Sequence, residues 1–124
     1  MPAERSAAHS FRDVMAWRKA HEFVLAVYRF SDSFPQGERF GLAHQMRRAA
    51  VSIPANIAEG FGKRSKPDKA RFLNIAEGSL EESRYYLILA QHLGYGNTQE
   101  LMRLLEDASR LLSAYARAIL ASVS

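Results

Sequence analysis

The sequence contains no cysteine, so disulfide bonds and thiolate metal ligands are excluded, and a reducing compartment is favoured. It also has no uninterrupted apolar run of about 18 residues, the length that a membrane-spanning helix needs. The segment of residues 1–10 is short and polar and lacks the apolar stretch of a signal peptide. We therefore predict a cytoplasmic protein with a polar N-terminal segment over residues 1–10 and no membrane partner.

Patterns typical of enzymes are scarce as well. The histidines are scattered without metal-ligand spacing, at His9, His21, His44 and His92. No glutamate has a histidine three positions later, which is the pattern of di-iron helical bundles. Residues 60–65 resemble a phosphate loop only faintly, because the spacing differs and no strand precedes them. We predict that the protein is not an enzyme and that it uses no metal or other cofactor.

Apolar residues recur with the period of an α-helix in four segments, which are separated by short joints rich in glycine, proline and serine. The predicted helices begin at Ser10, at Glu38, after Ser65 and at Asn97. Pro54 lies inside the second helix, where we expect a kink. Because short joints connect antiparallel neighbours, the predicted fold is all-α: one antiparallel up-down four-helix bundle over residues 11–124.

The second predicted helix, residues 38–60, is unusual because little of its surface is charged. On a helical wheel its polar side chains fall in one narrow wedge, formed by Gln45, Arg48, Ser52, Asn56 and Glu59. The opposite side carries Val51, Ala55 and Ala58. Three interpretations remain open for the wedge: a hydrogen-bonded structural seam, a solvated flank, or a ligand site. In the seam interpretation the third helix supplies Ser79 and Glu82, and Arg48 pairs with Glu82.

Two sequence blocks resemble a known family. Residues 45–60, QMRRAAVSIPANIAEG, resemble the signature of the four-helix-bundle proteins encoded in intervening sequences of bacterial 23S ribosomal RNA genes, and residues 72–82, FLNIAEGSLEE, resemble its second block. The resemblance spans about residues 11–120. The polar residues shared with the family are those of the wedge and its partners: Gln45, Arg48, Ser52, Asn56, Glu59, Ser79 and Glu82.

This resemblance implies partners as well as a fold. It implies a bundle that assembles into a homopentameric ring. It also implies kinship with the accessory variability proteins of diversity-generating retroelements, which engage nucleic acid and a reverse transcriptase. We therefore expect the chain to associate with itself. The shared polar residues are interpreted as scaffold rather than as an active site.

The charge is basic and unevenly distributed. The formal net charge is +4, and between residues 47 and 71 the only acidic residues are Glu59 and Asp68. Phe61 and Phe72 lie in or next to this span, so cations and aromatics together predict low-specificity binding of RNA or DNA. The candidate nucleic-acid-binding residues are Arg47, Lys63, Arg64, Lys66, Lys69 and Arg71. Two alternatives remain: a scaffold for a protein partner such as a reverse transcriptase, and a basic surface that serves only solubility.

Overall fold

The structure, a computed structural model, describes residues 8–122 and contains four α-helices. They are α1 (Met15–Ser31), α2 (Leu42–Phe61), α3 (Lys66–His92) and α4 (Gln99–Ala121). Two short 3-10 turns, Phe11–Asp13 and Gln36–Glu38, precede α1 and α2. Because residues 8–122 include no strand, the prediction of an all-α fold with four helices is confirmed. Most of the predicted N-terminal segment, residues 1–7, lies outside the described residues.

The first two helices begin later than predicted. Ser10 and Asp13 do form the expected capping box, but it caps the 3-10 turn, and α1 begins at Met15. The predicted start of the second helix at Glu38 was wrong, because Gly41 adopts a non-helical backbone with ψ of −115°. Glu38 caps the helix instead: its Oε1 accepts a hydrogen bond from the backbone N–H of Leu42 at 3.1 Å.

The joint after α2 is short, and α3 begins after Ser65, as predicted, with Ser65 as its cap. The Oγ of Ser65 accepts a hydrogen bond from the backbone N–H of Asp68 at 3.2 Å, and Pro67 lies in the first turn. The helix ends before Gly94, whose φ of +78° few other residues adopt. The predicted cap of α4, Asn97, accepts a hydrogen bond from the N–H of Gln99, although Thr98 is the residue that directly precedes the helix.

Each helix packs against two others, so that α1 and α3 each contact both α2 and α4. Burial of the apolar stripe of each helix is the main stabilising term of this arrangement. The largest fully buried side chains include Phe23, Met46, Ile53, Ile57, Leu80, Leu87, Leu105 and Leu112. In residues 8–122, no helix has both the length and the apolar character needed to cross a bilayer.

Candidate nucleic-acid interface

The predicted wedge of α2 faces α3, and we call the resulting contact the polar seam (Gln45, Arg48, Ser52, Asn56, Ser79 and Glu82). The Nη2 of Arg48 lies 2.8 Å from the Oε2 of Glu82, so the predicted ion pair is present. The Nε of Arg48 also donates to the Oε1 of Gln45 at 3.1 Å. The side chains of Arg48 and Glu82 are 51% and 37% exposed, so this pair lies at the surface rather than in the core.

The second part of the polar seam is a compact set of hydrogen bonds between half-buried side chains. The amide nitrogen of Asn56 donates to the backbone oxygen of Ser52 at 2.8 Å and to its Oγ at 2.9 Å. The Oγ of Ser79, on α3, donates to the same Ser52 hydroxyl at 2.8 Å. These groups are satisfied by protein atoms, in keeping with the structural interpretation of the seam.

Tyr86 belongs to the same network, although the wedge on α2 did not reveal it. Its hydroxyl donates to the Oε2 of Glu82 at 2.8 Å, and this hydrogen bond is the main reason that the pKa of Tyr86 is raised. The available signal was the spacing, because a residue four positions after Glu82 lies one helical turn away on the same face. Glu59, by contrast, lies apart from the polar seam and approaches the Nζ of Lys63 at 3.6 Å.

The end of the molecule at the α2–α3 joint carries five of the six predicted binding residues. We call it the basic end: Lys63, Arg64, Lys66, Lys69 and Arg71. The local fold brings them together because only four residues separate the end of α2 from the start of α3. The structure therefore places these five side chains around one joint, as their spacing predicted.

Two of these cations have a structural role. The Nζ of Lys69 donates to the backbone oxygen of Phe61 at 3.0 Å and to that of Gly60 at 3.4 Å. The Nζ of Lys66 donates to the backbone oxygens of Leu120 and Ser122. Both lysines thus donate hydrogen bonds to carbonyls at helix C-termini, those of α2 and α4, where positive charge is favourable.

Sequence reasoning missed these capping contacts, although one signal was available. Lys66 and Lys69 lie at the start of α3, where a cation opposes the dipole of its own helix. Such a placement indicates a compensating partner elsewhere in the fold. The partner carbonyls of Lys66 lie more than fifty residues away along the chain, so they could not be identified before α4 was placed.

The other three cations remain available to a ligand. Among residues 8–122, Arg64 makes no hydrogen bond or ion pair and is exposed. The guanidinium carbon of Arg71 lies 4.6 Å from the ring centroid of Phe72, and the Nζ of Lys63 lies 5.1 Å from the same centroid. The Lys63 contact with Glu59, at 3.6 Å, is a loose surface pair. The basic end therefore presents a surplus of positive charge.

Beneath the basic end, α2 and α3 are in close contact at Gly60. A Cβ atom at the buried Gly60 would lie 3.2 Å from the Cβ of Phe72 and 3.4 Å from the backbone oxygen of Lys69. Only glycine allows the last turn of α2 to approach α3 this closely without displacement of a neighbour. The partly buried ring of Phe61 packs on the core beside it.

The structure places Arg47 apart from the other five candidates, so the six predicted binding residues do not form one surface. Arg47 lies in the second turn of α2, about 21 Å from Phe61 at the rise of an α-helix. Its Nε donates to the Oγ of Ser31 at 2.7 Å, and its Nη2 pairs with Asp32 at 3.0 Å. Its guanidinium also lies over the ring of Tyr28. These contacts hold α2 against the end of α1.

Two other kinds of site were considered from the sequence, a metal site and a phosphate loop. No group of three or more histidine, cysteine, aspartate or glutamate side chains there could hold a metal ion. Residues 60–62 belong to the end of α2 and its cap, and α2 itself precedes them, so the faint resemblance to a phosphate loop has no strand to support it.

The fold and the site define an all-α protein of four helices with a polar contact between two of them and a basic end. The family model described as 23S rRNA-intervening sequence protein matches residues 12–116. The chain therefore belongs to the 23S rRNA-intervening sequence protein family.

The fold is similar to that of a protein whose structure has been solved. It is a protein with unknown function from the S23 ribosomal protein family of Bacteroides thetaiotaomicron VPI-5482, with 24% sequence identity and a TM-score of 0.72. The alignment covers 82% of this chain and 95% of that chain. No curated protein matches the chain. At this level of identity the similarity shows the fold alone.

Proposed function

We propose that the protein is a non-enzymatic homopentamer of antiparallel up-down bundles that binds nucleic acid with low sequence specificity through its basic end. The observation that carries the proposal is the surplus of cations around Phe72. Lys63, Arg64 and Arg71 have only one loose carboxylate partner among the described residues, that of Glu59. Neutralisation of phosphates by such cations supplies most of the free energy of sequence-independent binding.

Contacts between helix ends support the antiparallel arrangement. Lys66, at the start of α3, reaches the backbone at the end of α4. Arg47, near the start of α2, pairs with Asp32 at the end of α1. The hydroxyl of Tyr95, after α3, donates to Glu38, before α2, at 2.6 Å. Each of these contacts joins the end of one helix to the beginning of another.

The homopentamer is supported by the family resemblance and by the outer side of α2. Val51 is 40% exposed and Ala55 is exposed, so an apolar strip of this helix is uncovered in a single chain. A ring would present five basic ends to one polymer, and simultaneous contacts would multiply a weak affinity. Light scattering should give five times the subunit mass of 14.0 kDa. A monomer at micromolar concentration would contradict this part of the proposal.

Low specificity follows from where the cations lie. Phosphate contacts position a protein on nucleic acid without reading its sequence, whereas base-edge contacts in a groove specify it. Arg64 lies in the short joint, and Arg71 lies on the second turn of α3 against an aromatic ring. Neither belongs to a recognised base-reading motif.

The test is an electrophoretic mobility assay with RNA and DNA of mixed sequence at low salt. Arg64→Glu combined with Arg71→Glu should weaken binding at least about tenfold, because two cations per subunit become repulsive. The matched control combines Arg29→Glu with Arg39→Glu, two exposed arginines near the α1–α2 joint, and changes the net charge equally. We expect the control to retain most of the affinity. Circular dichroism should show equal helix content for both variants.

Two outcomes would contradict the proposal. If the unmodified protein leaves every probe unshifted at micromolar concentration and low salt, the protein does not bind nucleic acid. If both double variants weaken binding equally, net charge alone is responsible and the basic end is not the site.

One observation favours the second candidate function, a scaffold for a protein partner such as a reverse transcriptase. Phe40 is 85% exposed in the α1–α2 joint, and the guanidinium carbon of Arg39 lies 5.5 Å from its ring centroid. Exposed aromatic and arginine side chains are frequent anchors of protein interfaces. In this alternative, Phe40→Ala abolishes co-purification with the reverse transcriptase. Unchanged co-purification would exclude Phe40 as the anchor.

A further inference from the structure

The basic end combines cations with aromatic rings, which raises the question of what part of a nucleic acid it contacts. We propose that it binds the phosphodiester backbone of a double helix and does not stack on unpaired bases. This inference rests on the proposed function and specifies its substrate class. Aromatic rings beside cations on a nucleic-acid-binding surface suggest base stacking, but the contacts of Phe61 and Phe72 indicate a different role.

The aromatic rings are engaged by the protein's own cations. The guanidinium of Arg71 and the ammonium of Lys63 both lie over the ring of Phe72. The ammonium of Lys69 lies 5.8 Å from the ring centroid of Phe61. A base that stacked on Phe61 beneath this ammonium would displace it from the ring and from the two carbonyls that it caps. Both rings are also partly buried, which further restricts access of a base.

The same contacts hold the cations in place for phosphate binding. A guanidinium stacks through its face, whereas its N–H donors lie along its edge and can make two parallel hydrogen bonds to a phosphate. Arg71 can therefore keep its contact with Phe72 while it binds an anion. An ordered side chain also loses less conformational entropy on binding than a mobile one. Phe72 thus acts as a support for Arg71 and Lys63.

Without available stacking surfaces, a double helix is the better ligand. Proteins that bind single strands gain much of their affinity from bases that stack on aromatic side chains. A duplex offers one negative charge per about 1.7 Å of its axis and requires no contact with its bases. At equal phosphate concentration, the basic end should therefore prefer duplexes. DNA and RNA duplexes share this backbone chemistry, so both are probes in the test.

The experiment measures fluorescence anisotropy of the full chain with a labelled DNA duplex, an RNA duplex of the same sequence, and the separated strands of each. We expect both duplexes to bind several-fold more tightly than the single strands at equal phosphate concentration. If one duplex binds more tightly than the other, its polymer, DNA or RNA, is the preferred ligand. A single strand that contains 2-aminopurine should keep its emission when protein is added, because no base becomes stacked.

The variant Phe72→Leu tests the role of the ring. This variant retains an apolar side chain but removes the π-face. It should weaken the binding of single strands and of duplexes by the same factor, because Arg71 becomes less ordered. Three results would overturn the inference: tighter binding of single strands, a change in 2-aminopurine emission, or a Phe72→Leu defect confined to single strands. If no probe binds, the proposed function itself fails, so the two failures are distinguishable.

Discussion

The polar seam and the basic end lie along the same contact between α2 and α3, yet their polar groups are used differently. In the polar seam, Arg48 has a carboxylate partner, and Ser52, Asn56 and Ser79 satisfy one another. At the basic end, five cations lie in a stretch of sequence whose only acidic residues are Glu59 and Asp68, and the ammonium groups of two of the five donate to helix carbonyls. The comparison shows that paired polar groups hold the helices together, whereas most of the positive charge at the basic end has no carboxylate partner among residues 8–122.

The largest expected effect is on stability and comes from the close contact of α2 with α3 at Gly60. Gly60→Leu should lower the free energy of unfolding by about 1–3 kcal/mol, because a side chain there overlaps Phe72 and the backbone of Lys69. The matched control is Gly37→Leu, at an exposed position where an added Cβ would have no neighbour within 4 Å, and it should be nearly neutral. Urea denaturation measures both. Equal stabilities of the two variants would mean that α2 and α3 tolerate separation at this end.

The next effect tests the hydrogen bonds of the polar seam. Asn56→Leu should lower the free energy of unfolding by about 1 kcal/mol, because two half-buried hydrogen bonds to Ser52 are lost. Asn74→Leu, an exposed asparagine on α3, serves as the control and should change stability little. A neutral Asn56→Leu would favour the solvated-flank interpretation of the seam.

A smaller effect is expected for the ion pair of the polar seam. If the pair were buried, replacement of Glu82 would lower the free energy of unfolding by about 1–3 kcal/mol, because Arg48 would lose its partner. In the structure both partners are more than a third exposed, so solvent screens their attraction and a smaller contribution is expected. A double-mutant cycle with Arg48→Met and Glu82→Gln should give a coupling free energy of about 0.2–1 kcal/mol that falls with added salt. A larger, salt-independent coupling would indicate that the pair is covered by another molecule.

The smallest effect is a change in the ionisation of Tyr86. Its hydrogen bond to Glu82 raises the pKa of the phenol, so this contact stabilises the fold below about pH 10 and is lost as pH rises further. The titration of Tyr86 is followed by the absorbance of tyrosinate as pH rises, and the part of that signal that is lost in Tyr86→Phe belongs to Tyr86. That titration should occur at lower pH in Glu82→Gln than in the unmodified protein. An identical midpoint would show that the hydrogen bond contributes nothing in solution.

Local sequence patterns predicted the helices well because each pattern acts within a few residues. The third helix begins after Ser65, as predicted from Pro67 and Asp68, and Gly94 follows its end. The error at Glu38 has the same local origin: its carboxylate suits the first turn of a helix, but it also suits a cap that lies just outside. Periodicity does not distinguish these two positions.

The candidate site was predicted in part. Arg48 and Glu82 were paired correctly because the wheel of α2 and the family blocks indicated the same face. Arg47 was grouped with the basic end because it is close in sequence to other cations, although the length of α2 separates it from them. Tyr86 was missed because it acts through a residue of its own helix rather than through α2.

The sequence by itself determined the all-α class, the four helices, the face of α2 that meets α3, and the excess of positive charge, because these depend on composition and short-range spacing. Only the tertiary structure decided which cations are free. Lys66 and Lys69 resemble Arg64 in sequence, yet their ammonium groups bind backbone carbonyls of other helix ends. Such long-range contacts depend on how the helices pack. A pattern along the chain therefore does not show which cations are bound to backbone carbonyls.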